Sequence, residues 1–229
     1  HGLENEVDTA PRHPRLLGRG AGAWGQRCKC SENVVVTKGH VVRLDTKLVH
    51  IGEDEVRARG AVAPPIYQSA TFTTQPGESY DDIRYIRLSN TPNHQAVQNK
   101  IAAVAGGEAC VVTGSGMAAI STALLTVLKS GDHVLVQNCL YGGTHSLVVE
   151  DMRDLGIEHT AIDGRDPDGW EAELKPGTKA IYVESITNPV LDVGCLKEVV
   201  EFAKAHGLVS LIDNTFCSPV NFRPLDLGY

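Results

Sequence analysis

The chain has 229 residues, 42% of them hydrophobic, and a formal net charge of -7 at pH 7. That is enough apolar material for a full core, roughly one domain or one and a half. The acidic balance argues against nucleic acid or an anionic membrane as the main partner, and no apolar run approaches the length of a membrane-spanning helix.

Residues 1–40 begin without methionine and contain "RHPRLLGRGAGAWGQRCKC", a glycine-rich basic stretch with no acidic residue. Such a segment buries little and is expected to be disordered, an extended arm or a non-native extension. An arginine-rich leader can also be an organellar transit peptide, but the acidic start and scarce serine weigh toward a cytoplasmic protein. The cysteines Cys28, Cys30, Cys110, Cys139, Cys195 and Cys217 are scattered. The last four lie in or beside apolar runs and read as buried thiols of a reducing compartment. Cys28-Lys29-Cys30 lacks a second ligand pair at zinc-finger spacing, so no metal site is expected.

Residues 41–92 are irregular, with "GAVAPPIYQSATF" in the middle. Prolines among small hydroxyl residues read as an extended arm, not an independent domain. From residue 93 the rhythm is regular. "NHQAVQNKIAAVAG" is amphipathic at helical spacing, "EACVVT" is a short apolar run, and "GMAAISTALLTVLKSG" is a helix rich in Ala and Leu that closes on glycine. "DHVLVQ", "THSLVVEDMRDLG", "IEHTAID", "DGWEAELKPG", "KAIYVES", "LKEVVEFAKAHG" and "VSLID" continue the alternation. Strands alternating with helices predict an α/β fold with a mainly parallel sheet and helices on both faces.

In such a sheet, ligands gather at the carboxyl ends of the strands. Five ends carry polar or glycine-rich text: "TGSGM", "QNCLYGGT", "AIDGRD", "ESITNP" and "DNTF". All but "AIDGRD", which reads as an ordinary loop, are expected over one crevice. In "TGSGM" a sharp turn into a helix could hold a phosphate on free N–H groups with Ser115 adding a donor; a plain cap and turn accounts for it as well. Gly114-Ser115-Gly116 lacks the third glycine of the dinucleotide fingerprint. Tyr141 could stack on a planar ligand or simply pack on its own loop. Glu184 and Asn188 reach the same mouth, although a turn explains Asn188-Pro189 nearly as well. Asp213 ends an apolar run, where a carboxylate is costly unless a cation or strong donor meets it. It either caps the following turn through the Asn214 and Thr215 amides or partners a ring nitrogen that must stay protonated. A phosphate cradle, a stacking tyrosine and a carboxylate for a pyridinium nitrogen describe pyridoxal phosphate.

From about Thr46 to Tyr229 the chain also resembles the Cys/Met-metabolism, or transsulfuration, pyridoxal-phosphate enzymes: cystathionine gamma-synthase, the cystathionine lyases, methionine gamma-lyase and their sulfhydrylase relatives. The motifs carrying the resemblance are "LVHIGEDE", "VAPPIYQSATF", "YIRLSNTPN", "GSGMAAI", "LYGGT", "VESITNP", "IDNTFCSPV" and "FRPLDLGY". It implies a fold type I large domain with a seven-stranded-type sheet over residues 93–229, after the arm at 41–92. It further implies that Ser115, Gly116 and Met117 hold the cofactor phosphate. Tyr141 would stack on the ring and assist proton transfer, and Asp213 would keep the ring nitrogen cationic. Asn188 would lie beside the ring oxygen, with Glu184 and Thr215 in support. Tyr85 and Arg87 would reach the phosphate of a neighbouring subunit in a homo-oligomer, a dimer of dimers. The implied reaction is cleavage or exchange at a carbon–sulfur bond of a sulfur amino acid, by beta- or gamma-elimination or replacement.

Two loop departures stand out: Thr91-Pro92 reverses the usual Pro-Thr order, and Ile186 replaces a proline. The resemblance also implies a Schiff-base lysine after the aspartate segment. The lysines are Lys29, Lys38, Lys47, Lys100, Lys129, Lys175, Lys179, Lys197 and Lys204, none of which follows Asp213. The chain is therefore expected to be an inactive fragment that also lacks the C-terminal domain. A non-catalytic scaffold built from this fold is the alternative, and a Rossmann-type nucleotide enzyme a weaker one.

Overall fold

A computed structural model describes residues 34–37, 40–53 and 57–229. The expectations for most of the leader, including Cys28 and Cys30, lie outside the described residues. At its end, β1 (Val34–Thr37) and β2 (His40–Arg43) form an antiparallel hairpin that runs into α1 (Leu44–His50). The stretch that follows is irregular apart from 3-10 turns at Tyr80–Asp82 and Ile86–Leu88 and one bridge, Thr71 to Tyr85. Val62 and Ile66 are exposed along it.

Helix α2 (Pro92–Ala105) opens with proline in its first turn and closes on Gly106 in the left-handed region. The reversed Thr91-Pro92 order has a local reason. Thr91 precedes the helix and its hydroxyl meets His94 Nδ1 at 2.7 Å, while proline at the first helical position forgoes an N–H that would have no intrahelical partner. The next helices are α3 (Gly116–Val127), α4 (Gly142–Ser146), continued by a π turn at Leu147–Asp151 into α5 (Met152–Asp154), then α6 (Leu196–His206) and α7 (Ser218–Asn221). Among the described residues no helix is long and apolar enough to cross a membrane.

Strands β3 (His133–Gln137), β4 (Glu158–Ile162), β5 (Thr178–Glu184) and β6 (Val209–Asp213) form one parallel sheet in the order β4-β3-β5-β6. Side chains alternate across it. Val134, Val136, Ala180 and Tyr182 pack on one face with Leu124, Val148 and Met152. Leu135, Ile181 and Val183 pack on the other with Trp170, Val199 and Ala203. Helices on both faces explain why β3 and β5 are almost continuously apolar and buried.

The parallel α/β architecture is as expected, but the sheet has four strands among the described residues, not seven. "EACVVT" joins no strand, and Val111 is 72% exposed. An apolar run becomes a strand only where a neighbour supplies a hydrogen-bonding edge. Strand β6 is likewise an edge strand and only half-buried. Helix α3 stops at Val127 instead of running to the glycine, because Leu128 turns extended and enters the core. "DGWEAELKPG" forms a 3-10 run, Pro167–Glu173, pinned by buried Trp170 through its Nε1–H to the Asp163 carbonyl at 2.7 Å. Cys110, Cys139, Cys195 and Cys217 are free thiols, half-buried and not fully buried as expected.

At the amino end of the sheet, buried His133 meets Thr178 Oγ1 and Thr160 Oγ1, each at 2.8 Å. Burial, then the charge of Lys175, lowers its pKa from the ordinary 6.5; His159 adds to the lowering and Glu158 opposes it. The folded chain thus favours the neutral ring while the unfolded chain takes up a proton below pH 6.5, so this contribution to stability is lost as pH falls through that range. Urea unfolding is expected to show wild type losing more stability than His133→Gln between pH 7.5 and 5.5. Parallel losses in the two proteins would exclude the contribution.

Candidate functional site

Four of the five segments expected at strand ends converge on one cavity of about 630 Å³. Ser115, Gly116, Met117, Tyr141, Glu184, Asn188, Asp213 and Thr215 all line it. The "AIDGRD" loop does not, in keeping with its reading as an ordinary turn: Asp163 Oδ1 accepts from its own Arg165 N–H at 2.9 Å.

Ser115 is the N-cap of α3, its Oγ accepting from the Ala118 N–H at 3.1 Å. The cap reading of this serine therefore holds, and it leaves the hydroxyl proton available to a ligand. The first-turn amides of Gly116 and Met117 have no intrahelical partner. A side chain at Gly116 would meet nothing within 4 Å, so glycine leaves the approach to these amides open.

Glu184 ties two loops together. The residue is only 3% exposed, and its carboxylate accepts from the Tyr141 N–H through Oε1 at 2.7 Å and from the Asn188 N–H through Oε2 at 3.1 Å. The Glu184 N–H donates to Gln137 Oε1 at 3.0 Å. Burial raises its pKa above the usual carboxylate value; the two amides act against that shift, and the charge of Asp213 adds to it. Tyr141, positioned by this bond, keeps a 46% exposed side chain at the cavity. Its ring lies where a side chain on Gly143 would be, 2.8 Å from Tyr141 Cε1 and from Met117 Sδ. Glycine is needed there for the ring to lie against its own loop and the cavity together.

Of the two readings open to Asp213, the structure shows the cap. Asp213 Oδ1 accepts from the N–H and hydroxyl of Thr215, which caps the turn. Asn214 takes no part in the cap; its Nδ2 donates to the Phe222 carbonyl at 2.8 Å. Among the described residues Oδ2 accepts no hydrogen bond of full geometry, leaving the half-buried carboxylate with acceptor capacity at the cavity.

Tyr85 and Arg87 stand apart from the cavity lining. Arg87 Nη2 donates to Tyr85 Oη at 2.6 Å, and the guanidinium carbon sits 5.1 Å from the ring centroid. Tyr182, Leu211 and Phe216 are among the lining residues that escaped sequence reasoning. Period-two alternation could have found Tyr182 and Leu211, which share a strand face with Glu184 and Asp213 respectively.

Residues 45–229 match the family model described as Cys/Met metabolism PLP-dependent enzyme. The chain belongs to that family. It is 43% identical over 189 residues to cystathionine beta-lyase MetC of Bacillus subtilis (strain 168), covering 82% of this chain and 48% of the relative. The structure of cystathionine gamma-lyase from Lactobacillus plantarum, complexed with L-serine, is 40% identical with a TM-score of 0.75, covering 82% of this chain and 48% of that one. A Campylobacter jejuni protein assigned as an O-acetylhomoserine (thiol)-lyase, whose structure carries an N'-pyridoxyl-lysine-monophosphate, is 31% identical with a TM-score of 0.74 over 81% and 47% of the two chains. The chain thus spans about half the length of these relatives.

The cavity fits the family's cofactor on its own chemistry: open helix-end amides for a phosphate, an aromatic side chain for a ring, and a carboxylate with a free oxygen for a ring nitrogen. Among the described residues no lysine lines it. Because Glu184 satisfies two backbone donors, Glu184→Ala is expected to lower stability by about 2–4 kcal/mol. Glu184→Gln, which keeps one carbonyl acceptor, should lose about half as much. Thermal or urea unfolding reads both, and a wild-type midpoint for the alanine variant would refute the clamp.

Proposed function

We propose that this chain binds pyridoxal phosphate in the cavity and belongs to an enzyme that cleaves or exchanges a carbon–sulfur bond of a sulfur amino acid. The convergence of the α3 amino end, Tyr141 and Asp213 on one cavity carries the reading. The amides of Gly116 and Met117 hold the phosphate, and the Ser115 hydroxyl donates to it while still capping Ala118. Tyr141 covers the ring and stands by to move a proton at the substrate alpha carbon. Asp213 Oδ2 keeps a proton on the ring nitrogen, with Oδ1 anchored by Thr215. Asn188 approaches the ring oxygen, and Glu184 fixes the loops bearing Tyr141 and Asn188. When bound, the cofactor supplies the electron sink that lets an alpha proton and then a beta or gamma leaving group depart.

Tyr85 and Arg87, already paired and away from their own cavity, are assigned to the phosphate of a neighbouring subunit in a dimer of dimers. The arm at residues 41–92 and the sheet-bearing region at 93–229 serve as the two parts of this arrangement in a cytoplasmic enzyme. A second reading, cofactor binding without turnover, draws on the absence of a lysine from the cavity lining among the described residues.

Fluorescence titration of the purified chain with pyridoxal phosphate should show saturable binding that dialysis reverses. Asp213→Ala should weaken it roughly tenfold to a hundredfold, the loss of a charge-assisted hydrogen bond. Absence of saturable binding, or equal affinity in the variant, would reject the proposed site. Turnover of cystathionine by the same preparation separates the catalytic reading from the binding one.

A further inference from the structure

Tyr182 lies in the middle of β5, 3% exposed, yet it lines the cavity. Its hydroxyl has no hydrogen-bond partner of full geometry, and neither does the hydroxyl of Thr144 on α4, which is wholly buried. Buried hydroxyls are costly to leave unpaired, so two of them, one at the cavity wall, point to a task. Strand register shows where they act. Along the β5–β6 pair Tyr182 lies beside Leu211, and Glu184 beside Asp213. Alternation puts Tyr182 and Glu184 on one face of β5, and Leu211 and Asp213 on the same side of β6. The diagonal from Tyr182 to Asp213 is within reach of a long aromatic side chain. The phenol faces the Thr144 hydroxyl and the Asp213 carboxylate, whose Oδ1 is already taken by Thr215.

We propose that Tyr182 and Thr144 form a hydroxyl relay that positions Asp213. Thr144 Oγ1 donates to Tyr182 Oη, and Tyr182 Oη donates to Asp213 Oδ2, fixing the carboxylate plane toward the cavity. A carboxylate oxygen has lone pairs for both a phenol and a ring N–H, so the relay and a ligand can use Oδ2 together. Tyr182 is thus a positioning residue, acting through Asp213. The inference rests on the proposed meeting of Asp213 with the cofactor ring nitrogen.

Tyr182→Phe keeps the ring and removes only the hydroxyl. Its affinity for pyridoxal phosphate should fall about three- to tenfold. Its affinity for the carbocyclic analogue, in which C–H replaces the ring nitrogen, should stay at the wild-type value. In an Asp213→Ala background the same substitution should change nothing further. Equal weakening toward both ligands, or a full effect without Asp213, would overturn the relay. A second measurement needs no cofactor: the Asp213 carboxyl carbon resonance, assigned by its loss in Asp213→Asn, should shift in Tyr182→Phe, and an unmoved resonance rejects the proposal. If the wild type binds neither ligand, the functional reading fails and the resonance alone decides the relay. Should Tyr182→Phe not fold, the Tyr182 Cζ resonance in Asp213→Asn decides in the same way.

Discussion

Glu184 brings a carboxylate to the carboxyl end of a buried central strand, where an unpaired charge would be expensive. Two backbone donors meet it there, one from the loop after β3 and one from its own following loop. Each oxygen takes one amide, so the group that is costly to bury also sets how far apart the two loops stand. Tyr141 and Asn188 face the cavity because those amides do not move independently. The Gln137 side chain, accepting from the Glu184 N–H, adds the neighbouring strand to the same unit.

The sheet makes this economy of parts possible. In a parallel sheet every strand ends on the same side, so β3, β5 and β6 deliver their loops to one edge without any long-range directing contact. The helix following "TGSGM" adds its amino end from the face packed by Leu124 and Val148. Asp213 belongs to the edge strand and is less enclosed than Glu184. Its carboxylate can therefore serve a local turn with one oxygen and a ligand with the other. The two acids are register partners across adjacent strands, and they differ in role because they differ in burial and in the donors that reach them.

Much of this was legible in the residues. Alternating strand and helix patterns gave the parallel α/β architecture, and polar text at strand ends marked four segments that share the cavity. The motifs from "YIRLSNTPN" to "IDNTFCSPV" pointed to the family that the match over residues 45–229 establishes. What misled was local pattern without its partner. "EACVVT" has strand composition but no adjacent edge to bond. "DGWEAELKPG" has helical length but is pinned as a 3-10 run by Trp170. The four cysteines sit in apolar text yet are half-buried, since neighbours in sequence do not decide which side chains a packed layer covers.

By itself the sequence determined the chemistry available at each strand end and the order in which the chain presents it, because side-chain type and hydrophobic period are local properties. Only the tertiary structure decided which acid clamps the loops and which keeps a free oxygen. It alone set Tyr85 and Arg87 apart from the cavity and brought buried Tyr182 to the cavity lining. Those outcomes depend on strand register and layer packing, which join residues 29 to 43 positions apart. No window of the sequence contains both members of such a pair.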